Sequence, residues 1–160
     1  MASRIDHAMA CSAQKFNCAQ AVFSTYAPDF GINEMDALKV SAAFGGGMGR
    51  LGEVCGAVTG ALMLIGCKYG MVRAGDLDAK EKTYARVQQF THQFKELHRT
   101  ISCRELLGCD LNTPEGKAQY AARDLANAVC NRCIRTACQI IEESLLPQSP
   151  PHHFADGNDR

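Results

Sequence analysis

Glu53-Val54-Cys55-Gly56-Ala57-Val58-Thr59-Gly60-Ala61-Leu62-Met63-Leu64-Ile65-Gly66-Cys67-Lys68 is the stretch on which the fold turns. Fourteen uncharged residues, Val54 to Cys67, separate Glu53 from Lys68. A bilayer span needs roughly 20 apolar residues, so the spacing predicts a central buried helix from Glu53 to about Gly70 rather than a membrane insertion. Gly52, Gly56 and Gly60 recur every four residues and would give that helix one smooth face. Each glycine in a helix interior costs about 1 kcal/mol relative to alanine. Such a cost points to a close approach by another backbone or by a bulky centre.

Working outward, apolar residues recur at helical spacing and no sustained strand alternation appears. Phe16, Ala19, Val22, Phe23 and Tyr26 predict a first helix over 6–26, ended by Pro28 and Gly31. Asn33 should cap a second helix that runs to Phe44 and stops at Gly45-Gly46-Gly47. Beyond the central helix, Asp78 and Glu81 stand at capping-box spacing. They would open an amphipathic helix with Tyr84, Val87, Phe90, Phe94 and Leu97 as its apolar stripe. Ser102 and Glu105 predict a short helix ending at Gly108, and Thr113-Pro114-Glu115 reads as another start. A last helix is expected over 124–146. The fold class is therefore all-α: a single-domain helical bundle of about five to six helices around a buried central one. It should occupy residues 1–147, with a disordered tail over 148–160, rich in Pro, His and Asp.

The 160 residues suffice for one sizeable core. Lys plus Arg and Asp plus Glu each number 17, so no net field recruits nucleic acid or an anionic membrane surface. Met1 to Ala10 mixes acid, base and polar groups without an apolar run, so a cytoplasmic, reducing location is expected. In such a compartment nine cysteines are not structural disulfides, and an odd number does not close a framework.

The cysteines are distributed in a suggestive way. Cys18 is expected mid-helix. Cys55 and Cys103 are expected in first helical turns, where free amides and the positive end of the helix favour thiolate. Cys130 and Cys133 share a helical face. Thiolates delivered by separate helices can surround one centre, and they select iron–sulfur clusters, zinc or copper(I). The glycines Gly46, Gly47, Gly49 and Gly56 would bring backbone close to the sulfurs, and Arg50 could pair with a negative centre. Gly47-x-Gly49-x-x-Gly52 follows a helix rather than a strand, so nucleotide binding is set aside. His92 and His98 read as exposed, and Met48 and Met63 as packing residues.

Three runs then carry a resemblance: Asn17-Cys18-Ala19-Gln20-Ala21-Val22, Phe44-Gly45-Gly46-Gly47-Met48-Gly49-Arg50 and Cys55-Gly56-Ala57-Val58-Thr59-Gly60. Cys103-Arg104-Glu105-Leu106-Leu107-Gly108 and Cys130 with Ile134 and Ala137 extend it. Together, over residues 13–141, they resemble the redox-active family named for its C-GCAxxG-C-C pattern. The resemblance implies a helical, cysteine-dependent redox protein whose four shared cysteines fall on Cys18, Cys55, Cys103 and Cys130. Some relatives carry haem segments and an iron–sulfur centre. This chain has no Cys-x-x-Cys-His, so covalent haem is not expected.

The first reading is an iron–sulfur cluster held by Cys18, Cys55, Cys103 and Cys130, with Cys133 as a candidate fifth ligand. It would serve electron transfer or redox sensing with an electron donor or acceptor protein, in a homodimer. The alternatives are a metal-free thiol–disulfide oxidoreductase and a zinc- or copper-binding trafficking module. Cys11, Cys67 and Cys138 read as core cysteines, and Cys109 as a loop thiol.

Overall fold

The computed structural model describes residues 3–146; the expected tail over 148–160 lies outside them. Eight helices of regular geometry follow in order: α1 Arg4–Ala13, α2 Cys18–Tyr26, α3 Glu34–Ser41, α4 Gly56–Tyr69, α5 Leu77–His98, α6 Cys103–Leu107, α7 Pro114–Ala122 and α8 Asn131–Ser144. Among the described residues β-type pairing is confined to one antiparallel bridge, Val54 with Ser102. The protein is all-α, as the spacing predicts. No helix among the described residues is long and apolar enough to cross a membrane.

There are more helices than expected because the chain breaks where local chemistry lets it. The first expected helix is two. Lys15 sits at φ 71°, and Asn17 then caps α2 by accepting from the Gln20 amide at 2.9 Å while the Gln20 side chain returns to the Asn17 amide. This capping box satisfies free amides at the break. Cys18 is thereby the first residue of a helix, not a mid-helix residue. Asn33, Ser102 and Thr113 cap α3, α6 and α7 as expected. The cap of α5 is Asp76, which accepts from the Ala79 amide, rather than Asp78.

α4 is the buried central helix, and its most extensive neighbour is α2. A Cβ on Gly56 would stand 2.9 Å from the Ala19 nitrogen, and one on Gly60 would stand 2.9 Å from the Ala19 oxygen. The two glycines therefore let the backbones touch. Gly52 is not part of this helical face: it precedes the helix at φ 76°. Around the α2–α4 contact lie Val22, Tyr26, Val58, Leu64, Phe90, Phe94, Ile134 and Ile141, all buried. The stripe expected on α5 is narrower than its sequence pattern, since Tyr84 and Leu97 are exposed and Phe90 and Phe94 carry the packing. Near the end of α4, Cys67 is exposed, not core. The uncharged run outlasts the buried face there.

Replacing Gly60 with alanine should gain about 1 kcal/mol of helix propensity. The overpacking it forces against Ala19 and Val22 typically costs about 1–3 kcal/mol. A net loss of stability in urea denaturation is expected. An alanine variant more stable than the wild type would contradict the α2–α4 contact.

Candidate functional site

The segment before α4 is built from backbone contacts. Gly46, Gly47, Met48, Gly49 and Arg50 all have φ between 64° and 71°, forming a left-handed turn closed by the Gly49 amide on the Gly45 carbonyl at 2.8 Å. For residues with side chains this conformation costs roughly 1–2 kcal/mol each, so Met48 and Arg50 are strained. The turn hands its carbonyls onward: Gly52 donates to Gly46 at 3.2 Å and Glu53 to Gly47 at 3.1 Å. Residues 52–55 then pair with 101–104. Cys55 donates to Ile101 at 2.7 Å, Cys103 to Glu53 at 2.6 Å and Arg104 to Gly52 at 3.1 Å. These bonds place Cys55 opposite Ile101 and Cys103 opposite Glu53, one residue to either side of the Val54–Ser102 bridge.

Two close approaches complete the site. A Cβ on Gly47 would lie 2.6 Å from the Cys103 Cβ, and one on Gly56 would lie 3.1 Å from the Cys18 Cβ. Cys130 packs with Cys103, Leu107, Cys109 and Leu125. It ends a π-helical turn, Ala126–Cys130, that precedes α8. Such turns occur frequently at functional sites. The single helix expected over 124–146 is interrupted here.

The thiols interact mostly in pairs. Cys18 and Cys130 act chiefly on each other, as do Cys55 and Cys133. The neighbouring Cys18 thiol, with a hydrogen bond to the Tyr120 hydroxyl at 3.7 Å, brings Cys130 down to about 7 against the opposing effect of burial. Cys18 rises well above the usual thiol range, first through Cys130, then through burial and the other nearby sulfurs. Cys55 is lowered, first by the Cys133 thiol and then by the Ala57 and Val58 amides. Cys133 is correspondingly raised, by Cys55 and then by burial. Each pair thus joins a thiol poised to ionise with one that holds its proton.

Two expectations about thiol chemistry change. Cys55 is the residue that caps α4, one position before its first turn, and it still has the depressed value expected of it. Cys103 does lie in a first turn, yet it rises to about 12, chiefly through burial and then through the neighbouring Cys55 and Cys130. Five residues of helix do not offset that desolvation.

The structure brings Cys18, Cys55, Cys103, Cys130 and Cys133 into one electrostatically linked group. Cys109 is a loop thiol, as expected, and is buried beside Cys103. Cys11 and Cys138 are buried in the main core, as expected. Gly46, Gly47 and Gly49 form the left-handed turn, and Gly56 abuts Cys18. Arg50 is exposed, its stem against Gly46, and Met48 is likewise exposed. His92 is exposed, whereas His98 is half-buried, stacked on Phe94 and hydrogen-bonded to Thr136 at 2.9 Å. Among the described residues, no three His, Cys, Asp or Glu side chains are already arranged to hold a metal ion.

Residues 16–144 match the family model described as "Putative redox-active protein (C_GCAxxG_C_C)". The chain belongs to that family. The chain is thus a cysteine-rich, all-α member of a family described as redox-active. No curated protein and no solved structure matches the chain.

Sequence reasoning passed over Tyr120, since a lone tyrosine carries no motif. It also passed over the π-turn, whose extra residue leaves no periodic signature. In reduced, metal-free protein at pH 7, Cys130 should be the first cysteine alkylated by iodoacetamide, because the thiolate is the nucleophile. Its rate should rise as pH climbs through about 7 and level off above. Peptide mapping that finds Cys67, exposed but with a raised thiol, reacting first would contradict this electrostatic picture.

Proposed function

We propose that the protein is an electron-transfer or redox-sensing protein whose centre is an iron–sulfur cluster ligated by Cys18, Cys55, Cys103 and Cys130. The observation that carries this reading is the gathering of thiols from α2, α6, the cap of α4 and the π-turn before α8. Thiol–disulfide exchange needs two sulfurs; a thiolate-bound cluster uses four, and the donor set here is all soft sulfur. The residues fit such a group by chemistry. Two of the four thiols are lowered towards the ligating thiolate form, and Gly47 and Gly56 remove the side chains that would crowd Cys103 and Cys18.

When bound, a cluster supplies a one-electron couple. The chain's own part is to hold the sulfurs, to ionise them and to exclude water. Cys55 ionises readily through Cys133 and then the Ala57 and Val58 amides, and Cys130 through Cys18 and then Tyr120. Cys18 and Cys103 must lose protons that they hold firmly, so assembly should release protons and strengthen as pH rises. Cys133, which acts electrostatically on Cys55, is the candidate fifth sulfur beside these four. Hydrogen bonds to the sulfurs and the low exposure of the site would tune the potential.

Anaerobic purification followed by iron and acid-labile sulfide analysis tests the reading. Stoichiometric iron and sulfide with visible absorption are expected, each lost in the Cys18→Ser, Cys55→Ser, Cys103→Ser and Cys130→Ser variants. A colourless, iron-free protein after cluster reconstitution would overturn it.

One observation favours a second reading, a metal-free dithiol centre: the Cys18–Cys130 contact, in which one sulfur is ready to attack and the other retains its proton. Metal-free protein would then show a reversible two-electron couple that disappears in both Cys18→Ser and Cys130→Ser. A metal-free chain whose thiols never oxidise reversibly rules this reading out.

A further inference from the structure

We propose that Tyr120 is a working part of the cysteine centre: its hydroxyl donates to the Cys130 sulfur and stabilises the centre's reduced state. This rests on the reading that Cys130 belongs to the redox centre, whether as cluster ligand or as half of a dithiol. The tyrosine is carried by α7, and its ring packs half-buried against Cys103, Leu107, Cys109 and Leu125. Its oxygen lies 3.7 Å from the Cys130 sulfur, within hydrogen-bond distance for sulfur, and among the described residues that sulfur is its one partner. A phenol, with an ordinary pKa of about 10, is protonated at physiological pH and able to donate.

The backbone supports the contact from both sides. Thr113 caps α7 by accepting from Gly116 at 3.0 Å, fixing the start of the helix that carries Tyr120. On the other side, the π-turn Ala126–Cys130 ends at the accepting sulfur. The hydrogen bond therefore joins two elements that the short segment 123–125 separates.

The electrostatic consequence has one sign in both chemistries. Reduction of a cluster adds one electron that its thiolate ligands share. Reduction of a Cys18–Cys130 disulfide breaks the S–S bond and leaves two electrons as new charge on two sulfurs. Solvent protonates these as far as their affinities require, and a dithiol reductant supplying the electrons becomes its own disulfide. In either case the reduced sulfur is the more negative, and a donor hydrogen bond stabilises it preferentially. Removing the donor shifts the equilibrium towards the oxidised state.

The test compares the full-length wild-type chain with Tyr120→Phe, which keeps the ring and loses the donor. An anaerobic mediated redox titration reads visible absorption for a cluster, or mass shift after alkylation for a dithiol. The oxidised-to-reduced ratio at fixed potential should rise roughly three- to tenfold in the variant, the scale of one net hydrogen bond. Helical circular dichroism should be unchanged. A variant that titrates with the wild type overturns the proposal, as does one whose melting temperature falls while its couple stays put, since that is a packing role alone. Absence of any reversible couple in the wild type itself overturns the functional reading, and this proposal with it.

Discussion

The contact between α2 and α4 through Gly56 and Gly60 is the constraint on which the site depends. With no Cβ at either position, the Ala19 backbone rests directly against the central helix, nearer than any side chain would allow. That proximity brings Cys18, the first residue of α2, beside Gly56 and hence beside Cys55. Burying α4 stabilises the molecule at large, because the hydrophobic effect rewards each apolar side chain removed from water. The glycines determine how near α2 comes, and therefore whether sulfurs distant in sequence meet. Core packing and site geometry are consequently one property here.

A second constraint follows from desolvation. Gathering thiols away from water favours their neutral form, as the elevated Cys103 value shows. The protein offsets this locally by pairing. Cys18 supports the negative form of Cys130, Cys133 supports that of Cys55, and backbone amides and the Tyr120 hydroxyl add donors. The left-handed turn over 46–50 is a strained companion to this arrangement, with Met48 and Arg50 held where side chains are costly. Its carbonyls receive Gly52 and Glu53, and through them the strand-like pairing that holds Cys55 and Cys103 to either side of the Val54–Ser102 bridge.

Much of this was legible in the residues. The uncharged run marked α4, the polar caps Asn33, Ser102 and Thr113 marked three helix starts, and the glycine spacing marked a close approach. The break at Gln14 to Asn17 was missed although Asn17 and Gln20 stand at capping-box spacing; the apolar periodicity of 16–26 masked it, and a lysine gives no sign of a left-handed backbone. Cys67 looked buried because hydropathy does not report where a helix runs beyond its neighbours. The reversal at Cys103 and the role of Tyr120 were beyond sequence reasoning, since both arise from residues that meet only in the folded chain. For Cys55, the free amides at the start of α4 were the right physical cause, with Cys133 the larger contribution that only tertiary structure supplies.

Convergence of sulfurs is the central claim, and disulfide mapping of the native chain tests it most directly. Reduced, metal-free protein would be oxidised mildly in its folded state, digested and read by mass spectrometry. Intramolecular links confined to Cys18, Cys55, Cys103, Cys130 and Cys133, with Cys18 joined to Cys130 foremost, are the result this account requires. Links dominated by Cys11, Cys67 or Cys138, with those five cysteines left free, would contradict it.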